Sequence, residues 1–148
     1  MMKSLRNLFT PKTPAELPMP AEVAVAALLV EAALVDGVYV NIESDMIAEI
    51  LLESFNFDAD KADAMLAQAE MLAEEAVGSH QFTKHAKKLA LADRVKVIEA
   101  IYRVVLADGE RSHEEEAYVR HVAGLLYVDD ISRADARRRA EARSTPPE

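Results

Sequence analysis

The residues in this chain best able to do chemistry are acids set beside glycines. Asp36-Gly37 and Asp108-Gly109 each follow an apolar stretch, and each is followed by a glutamate, Glu43 or Glu115. Hard divalent cations such as Ca²⁺ take several oxygen ligands, so Asp36, Glu43, Asp108 and Glu115 form a candidate metal set, with Glu110 and Glu114 as helpers. The frame matches the back half of an EF-hand loop, with glycine at position 6, Asp at 5 and Glu at 12. The front half fails, because positions 1 and 3 fall on Ala32 and Leu34, or on Val104 and Leu106, which cannot ligate. The same acids have a purely structural use. Asp36 and Asp108 can accept backbone N–H bonds of the following helix, and Glu43 and Glu115 favour its positive N-terminus. That use accounts for every residue of the set without a ligand, so metal binding or metal sensing stands as the alternative function.

Other chemistry is excluded more firmly. With no cysteine there is no disulfide, thiolate metal site or cysteine nucleophile. His80, His85, His113 and His121 match no zinc spacing. Gly37, Gly78, Gly109 and Gly124 build no phosphate loop, and no strand-to-helix nucleophile elbow exists. We expect no enzyme, and no cofactor other than such a cation.

Charge supplies a second candidate surface. Residues 21–79 hold 13 acids and one base, whereas 80–128 hold 7 acids and 8 bases. The first stretch would repel nucleic-acid phosphates and attract a basic protein. Glu49, Glu53, Asp63, Glu70, Glu74 and Glu75 mostly avoid the apolar stripes and are expected to face water as a protein-binding surface. Arg137, Arg138 and Arg139 sit among enough acids that a solvated helix explains them better than an RNA or lipid patch.

The elements that must position these groups repeat. A shift of 72 residues lays Leu34, Asp36, Gly37 and Glu43 on Leu106, Asp108, Gly109 and Glu115, and Ile47, Ile50 and Phe55 on Val119, Val122 and Tyr127. Each copy reads as helix, Asp-Gly turn, helix. The spacing predicts helices at about 20–35, 41 to 55 or 57, 59–77 capped by Asp58, 93–107, and from Ser112, whose hydroxyl forms a capping box with Glu115. A short element falls at about 83–91, and a last helix at 133–143 capped by Ser132 with Asp135. No stretch alternates as a half-buried strand does. The expectation is a single all-α domain of about seven helices over 21–143, its two hairpins related by a pseudo-twofold. A proline-rich arm precedes it at 1–20, and 144–148 reads as a disordered tail. No apolar run is long enough to span a bilayer, and no signal peptide is evident. Leu5, Leu8 and Phe9 in residues 2–9 offer a weak peripheral membrane foot, though a frayed arm accounts for them better.

Leu28 to Ala33, Ala107-Asp108-Gly109-Glu110 with Glu114-Glu115, and Val122 to Leu126 resemble the tellurite-resistance protein B (TerB-like) family over about residues 21–140. The resemblance implies an all-helical cytoplasmic domain with paired repeats, tied to envelope or metal-oxyanion stress and without established enzymatic activity. The first turn departs from the family pattern, since Val38 and Val40 stand where acids are common. In the second, Glu110 is kept and Ser112 takes the other acidic place.

Overall fold

Ala21–Leu34 forms the first helix, α1, and it is apolar almost all round. Every residue from Val23 to Val30 is buried. A helix of that kind has no wet face and must sit in the middle of its neighbours. In the computed structural model, which describes residues 20–35, 41–56, 58–76, 78–107 and 113–144, six further helices surround or extend it: α2 (Asn41–Phe55), α3 (Ala59–Glu75), α4 (His80–Ala86), α5 (Leu91–Leu106), α6 (His113–Leu125) and α7 (Asp130–Ser144). The protein is all-helical, with no strand among the described residues. Asp36, Gly37, Asp108, Gly109, Glu110 and Ser112 lie outside them, as do 2–9 and 145–148. Glu43 is in α2, but its side chain is not described.

The central helix touches α2, α3, α4, α5 and α6, whereas α5 packs on α1, α2, α6 and α7. The 72-residue register is visible in the burial of both hairpins. Ile47 and Ile50 of α2 and their counterparts Val119 and Val122 of α6 are all fully buried. Burying aliphatic side chains at about 1.5 to 3 kcal/mol each is what holds such pairs inward.

Helix ends follow local chemistry. Asp58 caps α3 as expected, its carboxylate accepting the Lys61 N–H at 2.7 Å. The last helix differs from expectation: it starts at Asp130, and the cap is Asp129, which accepts the Ser132 N–H at 2.7 Å. An aspartate three residues before that free N–H satisfies it better than Ser132 with Asp135 could. Both second helices of the repeats end in left-handed residues, Asn56 (φ 57) after α2 and Tyr127 (φ 56) after α6. After α6, the Val128 N–H donates to the Ala123 carbonyl at 2.9 Å and the Tyr127 N–H to that of Gly124 at 3.2 Å, which closes the helix in a Schellman turn.

Candidate functional site

Helices that alternate in direction bring their turn-bearing ends together. Met46 and Ile50, early in α2, share a groove with Leu106 and Ala107 at the end of α5. Tyr102, Val105 and Leu106 meet Glu115, Glu116 and Val119 at the start of α6 around a smaller hollow. The flanks of both Asp-Gly turns therefore lie at one end of the bundle. Glu115 is buried there at 7% exposure and has an interaction partner, while Glu114 is exposed and Glu116 pairs with Arg137 at 3.4 Å. Among the described residues no group of three or more histidines or carboxylates is arranged to hold a metal ion.

The same end carries a polar cluster that sequence reasoning missed. Glu31, inside the apolar run of α1, accepts a hydrogen bond from the Ser79 hydroxyl at 2.8 Å. The Tyr118 hydroxyl lies 2.8 Å from the Leu28 carbonyl and 3.1 Å from the Glu31 carboxyl. Burial pushes Glu31 above its ordinary value of 4.5, against the hydrogen bonds from Ser79 and Tyr118 and the field of His121, which pull it down. Burial, and then the nearby Glu31 charge, push the Tyr118 phenol well above 10.0. Tyr118 has one proton for two acceptors. It therefore donates to one of them at a time, the Leu28 carbonyl or the Glu31 carboxyl. The only signal in the sequence is an acid amid Leu29, Val30, Ala32 and Ala33. Its partners stand 48 and 87 residues away and leave no local pattern.

The proposed acidic surface is partly kept and partly reassigned. Glu49, Asp63, Glu74 and Glu75 are exposed, while Glu70 is half-buried. None of these five makes an ion pair among the described residues. Glu53 does not belong with them. It accepts from Arg103 at 3.0 Å and lies 3.8 Å from Arg143, inside a chain of charges that continues from Arg143 to Glu99 at 3.6 Å and from Glu99 to Arg139. The outward half-turn of α2 faces α5 and α7, both arginine-bearing, so Glu53 is neutralised by the protein itself. The three consecutive arginines of α7 are likewise paired: Arg137 with Glu116 and Glu141, Arg138 with Asp135, Arg139 with Glu99.

The family model described as "Tellurite resistance protein TerB" matches residues 22–138, from the first turn of α1 into α7. The chain belongs to the TerB family. No curated protein and no solved structure matches it. Among the described residues, no helix of this TerB domain is long and apolar enough to cross a membrane.

Proposed function

We propose that this TerB-family protein is a non-enzymatic binding module that docks a basic protein partner through the outward face of α3 and the adjoining Glu49. One observation carries the reading. Asp63, Glu74 and Glu75 stand exposed without counter-charges, whereas the carboxylates Glu53 and Glu99 on the other side are consumed by arginines. Unpaired carboxylates of one sign raise the local field that steers an oppositely charged partner. A role in metal-oxyanion stress is supported by the family's description as tellurite resistance, and the resemblance to that family extends the reading to envelope stress and to a cytoplasmic place.

The test is affinity capture from native lysate, followed by association kinetics with the partner recovered. Asp63→Asn, Glu74→Gln and Glu75→Gln together should slow association by about tenfold at low salt and flatten its salt dependence, with little change in stability because exposed charges contribute little. Equal association of wild type and triple variant at low and high salt would overturn the proposal.

A second reading, a divalent-cation site built from Asp36, Glu43, Asp108 and Glu115, is supported by the meeting of both turn flanks at one end and by the buried Glu115. Calorimetry of chelator-treated protein should then give saturable heat with Ca²⁺, Mg²⁺ or Mn²⁺, lost in Asp108→Asn. Absence of heat at about millimolar ion would leave these acids only their part in the turns.

A further inference from the structure

We propose that the groove between α2, α5 and α7 binds a small carboxylate carrying an apolar body. The groove encloses about 250 Å³, and its lining combines two guanidinium groups, Arg103 and Arg143, with Met46, Ile50, Leu106 and Ala140. Ile50 and Ala140 are fully buried and make an apolar floor. Three arginines, Arg103, Arg139 and Arg143, share two carboxylates, Glu53 and Glu99, which leaves one positive charge over. Arg103 spends Nη2 on Glu53 at 3.0 Å, but its Nη1 is buried without an acceptor. A buried donor left unmatched costs about 1 to 3 kcal/mol, more when charged, so an acceptor that enters as the Arg103 fork turns toward the groove gains a bond.

The 72-residue register sharpens the point. It pairs Arg103 with Glu31 and Met46 with Tyr118. On the α1 side the charged residue of the first helix is satisfied by Tyr118 and by Ser79, just before α4. On the α5 side the equivalent of the tyrosine is Met46, which offers no oxygen, and a groove remains. Arg143 is half-exposed and meets its two glutamates only at 3.6 and 3.8 Å, so it can turn toward a ligand without breaking a close bond. Guanidinium forks suit carboxylates and phosphates alike. A surplus of one charge in a chain of net −9 favours a monoanion over a dianion, and the apolar floor favours a hydrocarbon body over inorganic phosphate.

The experiment is an amide NMR titration of the full chain with sodium hexanoate, hexanamide and inorganic phosphate. Hexanoate has about eight heavy atoms, and the groove has room for about eight waters. Hexanoate should give saturable shifts at Ile50, Leu106 and Ala140. Hexanamide should bind at least about tenfold more weakly, since it lacks the charge that strengthens the bond to arginine. Arg143→Gln, at a half-exposed position, should keep the fold and lose about tenfold in affinity. Arg103→Met should abolish binding, and its spectrum will report whether it folds. No saturable shift by about 10 mM hexanoate, equal binding of the amide, or undiminished binding by Arg143→Gln would overturn the site. Phosphate binding as tightly as hexanoate would overturn the ligand class.

Discussion

α1 and α5 align at a shift of 72 residues, yet they live in different surroundings. Leu29 and Val30 correspond to Ile101 and Tyr102, and all four are buried. Away from that shared stripe the two part company. Ala27 of α1 is fully buried, while its counterpart Glu99 in α5 meets Arg139 and Arg143 of α7. Glu31 likewise answers to Arg103. The first copy is enclosed by five helices and is hydrocarbon from Val23 to Val30. The second is closed on its outer side by one helix that docks mainly through charge. The 72-residue register thus keeps an inward apolar stripe in both helices, because they share one core, while the outward positions follow whichever neighbour covers them.

The largest expected effect comes from exchanging the two environments. Ala27→Glu puts the side chain of Glu99 where no arginine waits, and it should cost more than about 3 kcal/mol or prevent folding, as an unpaired buried charge does. Glu99→Ala, which leaves half-exposed arginines that water can reach, should cost only about 1 to 2 kcal/mol. Urea denaturation of both variants checks the ratio, and equal costs would mean that α1 is not the more enclosed helix.

Tyr118→Phe comes next, at about 1 to 2 kcal/mol for the lost hydroxyl bonds. It should also raise Glu31 further, since the phenol is one of the groups that hold it down. The pH dependence follows from that direction. With a folded-state value above 4.5, Glu31 binds its proton more tightly in the folded protein, so its contribution is fully present below about 4.5 and is lost as pH rises through the folded value. Wild type should therefore lose stability relative to Glu31→Gln as pH is raised from about 4.5 to 8. A difference that does not change with pH would mean that Glu31 is as well solvated as a surface acid.

The duplicated frame, the apolar stripes and the helical class could be read from sequence because each is a periodic property of nearby residues. Ile47 and Ile50, or Val119 and Val122, declare themselves by spacing alone. Glu31, Arg103 and Glu53 could not be placed that way. Each looks like a surface charge, and what decides its role is a partner on another helix: Tyr118 and Ser79 for Glu31, and each other for Arg103 and Glu53. The start of α7 was missed for a smaller reason. Ser132 with Asp135 also fits a cap by residue type, and only the 2.7 Å bond from the Ser132 N–H identifies Asp129 as the one used.

The smallest effect tests the ends of the second helices. Asn56 tolerates its left-handed backbone, whereas Tyr127 adopts nearly the same φ with a bulky ring that is 71% exposed. Tyr127→Asn should raise stability by about 0.5 to 1 kcal/mol, partly offset by loss of the Lys87 ammonium, which lies 5.3 Å from the ring centre. A thermal melt that moves downward would show that the ring contributes more than its backbone costs.

The joint between α5 and α7 has one more consequence. Only Ala136 and Ala140 of α7 are fully buried, and much of the rest of its hold is polar: arginine contacts to Glu53 and Glu99, and the Arg133 guanidinium on the Tyr102 hydroxyl. Proteins open in units, and the unit with the least buried hydrocarbon opens first. α7, which lies off α1, is therefore expected to open ahead of that central helix. When it lifts, the partly buried Arg103 and the floor of the groove beneath it are laid further open to water.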